Sequence, residues 1–214
     1  MVIFLFIALC YILQAISENF VKDDIYNTLN GKLAEDLTNQ GISLSPDLTL
    51  RFTPNGNSNL FNANDAFMTQ DFKTQINSIW PKYQNIITDP KYIDYIKEIR
   101  IEGHADTSHI YECEQSGGDN YSCNLNLSSQ RAENVLQYIR SLKCFRNLPD
   151  STKERIQFLL TANGLSYSKT LNDSGTYTYI DANKTINRDL SRRVEFRIVT
   201  SNQKLLKSLS NARR

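Results

Sequence analysis

A chain of 214 residues, 40% hydrophobic and 22% charged, can bury one good core plus appendages, so one globular domain is expected rather than two. Its 24 Lys and Arg against 23 Asp and Glu leave a formal net charge of +1, which excludes a global field for steering nucleic acid or anionic lipid. The four cysteines, Cys10, Cys113, Cys123 and Cys144, contain no CxxC pair, and a disulfide among the last three leaves one over.

Residues 1–16 read MVIFLFIALCYILQAI, apolar apart from Gln14 and the amphipathic Tyr11. As a helix this run is about 24 Å long, short of the roughly 30 Å hydrocarbon core of a bilayer. A cleaved signal peptide fits that length, but there is no basic n-region and only Ala15-Ile16-Ser17 suggests a cleavage site. A lipoprotein signal needs a small residue before its cysteine, and Leu9 precedes Cys10. The third reading, preferred here, is a transmembrane helix over 1–17 whose beginning precedes Met1. It carries no ionisable residue, hence no ion-binding carboxylate. The flank Glu18, Lys22, Asp23 and Asp24 is net acidic, which suits an outward-facing side.

Over 18–41, Ile25, Leu29, Leu33 and Leu37 recur every fourth residue before Gly41, an amphipathic helix that serves either as a core helix or as a dimerisation seam or linker. Residues 42–44 and 48–52 around Ser45-Pro46-Asp47 predict a hairpin, and 53–64 a loop. A helix is expected from about 65 to 83 with Phe67, Phe72, Ile76 and Ile79 inward, broken or kinked at Pro81. Asp89-Pro90 signals a turn before a central strand, in which Ile99 and Ile101 alternate with Glu98, Arg100 and Glu102 up to Gly103.

Asp106 lies just beyond that strand, and a polar loop follows. Gly117-Gly118, midway between Cys113 and Cys123, makes a turn that brings these two cysteines together, although Cys144 remains a possible partner. Ala132, Val135, Leu136, Ile139 and Leu142 then mark a helix whose N-cap is read as Ser128, with Arg131 in its first turn. A cation there is disfavoured unless an anion joins it, so Arg131 beside free backbone N–H groups forms a carboxylate receptor. With Asp106 nearby, the natural ligand is a zwitterion. Residues 156–161 form an apolar run before Asn163-Gly164, while 166–189 reads as a polar excursion, 193–199 as a strand and 203–209 as a basic helix within the tail 201–214.

Four separated pieces, GHAD, Asn124, LSSQRAENV and SRRVEFRI, together resemble the signature of the OmpA-like peptidoglycan-binding domain shared by outer-membrane anchors, lipoproteins and MotB-type stator B subunits. The resemblance implies an α/β two-layer sandwich over 42–200, with a mixed sheet and helices on one face behind the N-terminal transmembrane helix. It implies that 156–161 is a strand and Asn163-Gly164 its glycine turn. It implies that Asp106 and Arg131 clamp the amino-acid head of diaminopimelate in the peptidoglycan stem peptide. It further implies support from Arg192 or Arg193 and a donor role for Asn124, with loop capping the plainer alternative. Ser191 stands where the family has an asparagine before its arginine pair.

The apolar run resembles the second half of a stator B-subunit helix. That implies a multi-helix A-type channel partner, a homodimer and a single-pass inner-membrane protein with its C-terminal domain in the periplasm. A disulfide Cys113–Cys123 fits that compartment. Such stators include flagellar motors and the motor complexes of Zorya-type antiviral defence. The alternative is a free-standing periplasmic or outer-membrane anchor without a motor role. His104, His109, Cys113 and Cys123 match no common zinc spacing, so neither metal nor other cofactor is expected. No nucleophile and base pair and no glycine-rich phosphate loop stands out, and an enzyme is not expected.

Overall fold

The computed structural model describes residues 2–56, 58–180 and 185–201, so the basic tail expected from 203 lies outside the described residues. Helix α1 (Val2–Gln40) runs without a break into the hairpin of β1 (Ser43–Ser45) and β2 (Thr49–Phe52). Next come α2 (Gln70–Ile87), a single 3-10 turn (Ile93–Tyr95) and β3 (Ile96–Gly103). Helices α3 (Tyr111–Gln115), α4 (Asn120–Ser141), α5 (Lys143–Arg146) and α6 (Asp150–Leu159) lead to β4 (Leu160–Gly164), then α7 (Arg188–Ser191) and β5 (Val194–Thr200). The five strands form one mixed sheet in the order β1-β2-β5-β3-β4, with only β3 and β4 parallel.

Alternation along the strands divides the sheet into two unlike faces. Leu50, Phe52, Ile99, Ile101, Val194, Phe196 and Ile198 join one buried cluster with residues of α1, α2 and α4. Phe196 is its aromatic hub, with ring centroids of Phe52, Tyr83 and Trp80 at 4.9, 5.9 and 6.1 Å. The α1 stripe belongs to this core: Ile25, Leu29 and Leu33 are fully buried within the chain itself and are not left free as a seam. Among the described residues no helix is long and apolar enough to cross a membrane.

Three elements depart from expectation. Helix α2 starts at Gln70 because Thr69 caps the Phe72 amide and Phe61 pairs with Met68, so Phe67 stands exposed instead of turning inward. It continues through Pro81, since Ile79, Trp80, Tyr83, Ile86 and Ile87 are all buried and their packing outweighs one lost backbone bond. The run at 156–161 is mostly helix α6, in which Ile156 and Leu159 are buried three residues apart while Phe158 is exposed, and the strand begins only at Leu160.

A glycine pair sets α4 against the sheet. Gly103 and Gly164 are register partners at the ends of β3 and β4. A Cβ on Gly103 would lie 2.2 Å from the Ser128 carbonyl oxygen, and one on Gly164 2.4 Å from the Ser129 amide nitrogen. Only glycine allows the helix backbone this close. The approach brings the chain three residues past Gly103 alongside the helix three residues past Ser128, which is how Asp106 and Arg131 come to share a cleft.

Candidate functional site

The polypeptide leaving β3 remains bonded to the sheet: the His104 amide donates to the Arg193 carbonyl at 3.0 Å and the Ala105 amide to that of Ser166 at 2.8 Å. Asp106 is therefore held at the sheet end with 2% of its surface exposed. Its Oδ1 accepts from the Ser108 amide at 2.8 Å. Its buried Oδ2 has no hydrogen-bond partner among the described residues, and the Arg192 Nε stands 3.7 Å away. A buried carboxylate oxygen left this way is costly unless a donor arrives from outside.

Arg131 supplies the opposite charge from the middle of α4. Its Nε donates to the Asp65 carbonyl at 2.9 Å, its Nη2 to that of Asn62 at 3.3 Å, and its guanidinium lies 4.8 Å from the centre of the Phe61 ring. Burial, reinforced by the charge of Arg192 and opposed by Asp106 and Asp65, pushes its pKa down to about 10, so it remains a cation at neutral pH. The expected first-turn position is corrected: α4 begins at Asn120 with Asp119 as N-cap, and the helix terminus is not part of the site. Ser128 is a buried mid-helix residue whose hydroxyl accepts from the Ser166 amide at 3.0 Å.

Asp106, Arg131, Asn124 and Arg192 line one cleft of about 180 Å³, together with Ser108, Ile110, Leu127 and residues 59–64. That is smaller than the roughly 300–1,000 Å³ of ordinary ligand pockets and suits a single amino-acid head. Asn124 uses its amide group on the Ser108 and Asn120 carbonyls, at 3.0 Å each, so it braces the cleft wall, as the plainer reading had it. The 59–64 wall and Ser108 and Ile110 went unnoticed in the sequence. Phe61, within the expected 53–64 loop, carries the Arg131 guanidinium.

Arg193 does not reach the cleft. It is buried on the reverse face of the sheet, where its Nε meets Glu195 at 2.7 Å and its Nη1 donates to the Lys169 carbonyl at 3.0 Å. It belongs to a charged cluster that the 166–187 excursion reaches through Lys169, Gly175 and Tyr177. Glu102, His104 and Glu195 bring ligand-type atoms within 4.8 Å of one another there. Yet Arg51 Nε stands 2.8 Å from Glu195, and Arg197 stands 3.4 Å from Glu195 and 3.6 Å from Glu102. With three guanidiniums neutralising two carboxylates, the cluster is a charge-paired core and a poor receptor for a further cation. The other zinc grouping also dissolves, because Cys113 and Cys123 are disulfide-bonded to each other while His109 faces Glu114. Cys144 is free among the described cysteines.

No family model matches the chain. Over 94% of its length and 83% of the relative's, it is 25% identical to the Zorya protein ZorB of an Escherichia coli strain. In fold it superposes on a MotB-like protein from Desulfovibrio vulgaris with a TM-score of 0.56 and 18% identity, over 88% of this chain and 99% of that one. The chain thus shares the fold of a MotB-like protein. An OmpA-like domain of FopA1 from Francisella tularensis aligns more loosely, with a TM-score of 0.40 and 18% identity over 75% of this chain and 81% of that one. In this chain the sheet and the α4 packing carry the cleft, and the disulfide-bearing segment 107–118 forms one of its walls.

Proposed function

We propose that this MotB-type chain anchors non-covalently to peptidoglycan, as the cell-wall-binding B subunit of a membrane stator complex. Asp106 takes the ammonium and Arg131 the carboxylate of the diaminopimelate head in the stem peptide, and Arg192, whose Nε stands 3.7 Å from the Asp106 Oδ2, adds positive charge to the cleft. The observation that carries this reading is the buried Asp106 Oδ2, without a hydrogen-bond partner among the described residues and in the same small cleft as two guanidiniums. A zwitterionic amino-acid head satisfies both signs at once.

The resemblance to ZorB favours a defence-type stator, with an A-type channel subunit as partner. The apolar start of the chain favours a single-pass inner-membrane protein with this domain in the periplasm. A homodimer would form through surfaces other than the α1 stripe, which the core already buries. The test is co-sedimentation with purified sacculi in the presence of free amino acids. Retention is expected, with release by meso-diaminopimelate but not by cadaverine, which carries ammonium groups and no carboxylate. Retention that both compounds leave untouched contradicts the proposed ligand.

A further inference from the structure

We infer that the Cys113–Cys123 disulfide is a redox-sensitive clamp on the cleft wall, so that the oxidised protein grips its ligand more tightly than the reduced one. The ligand half of this inference rests on the function proposed above. The wall half stands on geometry alone.

Helix α3 has five residues, none of them buried, which is too little to hold itself against the rest of the fold. Its hydrogen bonds close within its own segment: Glu114 to Ile110, Ser116 and Gly118 to Cys113, Gly117 to Glu114, and His109 to the Glu114 carboxylate. Beyond the backbone at its two ends, residues 109–118 are cross-linked to the body of the fold by the disulfide, which joins Cys113 to the first turn of α4. Ile110 of that segment lines the cleft, next to Ser108, whose amide orients Asp106 and whose carbonyl Asn124 holds from α4. Opening the disulfide therefore loosens the cleft wall at Ile110, beside the carboxylate, and a receptor that must be ordered on binding loses affinity.

The local packing is built around the bond. A Cβ on Gly118 would lie 2.6 Å from the Cys123 sulfur and 2.9 Å from that of Cys113, so only glycine fits beside the bridge. Cys123 is 2% exposed while Cys113 is partly accessible, which directs a reductant to Cys113. The thiolate of a dithiol attacks the Cys113 sulfur, the S–S bond breaks and Cys123 leaves as the thiolate. The second thiol of the reductant then closes its own ring and releases Cys113, so two electrons pass from the dithiol to the protein.

The experiment compares the oxidised wild-type protein with the same protein reduced by dithiothreitol, and with Gly118→Ala. Hydrogen exchange is read at residues 108–118, with β3 amides as the check that the fold survives. Sacculus retention is read in parallel. Exchange at 108–118 is expected to rise by roughly tenfold or more on reduction with β3 unchanged, and affinity for sacculi to fall about tenfold. Gly118→Ala is expected to be reduced at a lower dithiothreitol concentration. Unchanged exchange at 108–118 overturns the clamp, and faster exchange with undiminished retention overturns its control of binding. Failure of the oxidised protein itself to sediment with sacculi counts against the ligand, while the exchange comparison still decides the clamp.

Discussion

Asp106→Asn is expected to weaken binding to sacculi by roughly a hundredfold, about 2.7 kcal/mol, with the fold intact. The substitution keeps the oxygen that accepts from the Ser108 amide and the shape of the side chain, and removes the charge that faces the cleft. Arg131→Lys is the matching change on the other side. It keeps a cation but loses the planar fork that grips the Asp65 and Asn62 carbonyls and lies over Phe61, so a loss of similar size follows. Arg131→Ala is a poorer probe, since it also frees the 59–64 wall. The readout is co-sedimentation across a range of sacculus concentrations, with thermal unfolding of each variant as the control. Undiminished binding by Asp106→Asn would remove the carboxylate from the site.

The second large effect lies on the reverse face and concerns stability. Glu195→Ala should cost about 3–5 kcal/mol, because it leaves the guanidiniums of Arg193, Arg51 and Arg197 without their shared carboxylate in a buried setting. Burial alone would raise the Glu195 carboxyl, but its contacts with His104 and the Arg193 guanidinium outweigh that and hold it well below the usual carboxylate range. A depressed carboxylate contributes stability that is complete above its unfolded value near 4.5 and is lost as pH falls below it. His104 acts in the same direction at higher pH. Burial, aided by Arg193 and opposed by Glu195, lowers it from 6.5 to about 4. The unfolded chain therefore binds the extra proton between those values, and stability falls by about 3 kcal/mol as pH drops from 6.5 to 4. Urea denaturation at pH 7 and pH 4.5 checks both statements: wild type should lose stability at the lower pH, and His104→Asn should flatten that dependence. A Glu195→Ala loss below about 1 kcal/mol, or an unchanged slope in His104→Asn, would contradict this account of the cluster.

Much of this was legible in the sequence because it depends on local pattern. The alternation of Ile99 and Ile101, and of Val194, Phe196 and Ile198, marked the central strands, and Gly117-Gly118 between two cysteines marked the bridge that the structure contains. Arg131 was singled out for a reason that does not hold. The first two turns of α4, from Asn120 to Asn126, are polar enough to hide the helix, so its start was read at Ser128 when the true signal was Asp119 capping the Ser122 amide. The charge on Arg131 is instead balanced by carbonyls of a loop some 65 residues earlier in the chain, a long-range fact that periodicity does not carry. Arg193 was a candidate for the cleft through the family resemblance, and nothing local marked it or Glu195 as buried on the reverse face. What covers them is a separate excursion, reaching the cluster through Lys169 and Tyr177, whose path no local pattern announces.

The most direct test of the central claim is a crystal structure of the protein with meso-diaminopimelate, at a concentration that releases it from sacculi. The account predicts one amino-acid head in the cleft, its ammonium within hydrogen-bond distance of the Asp106 Oδ2 and its carboxylate against the Arg131 guanidinium. Density for the ligand elsewhere on the surface, with the cleft vacant, would contradict it.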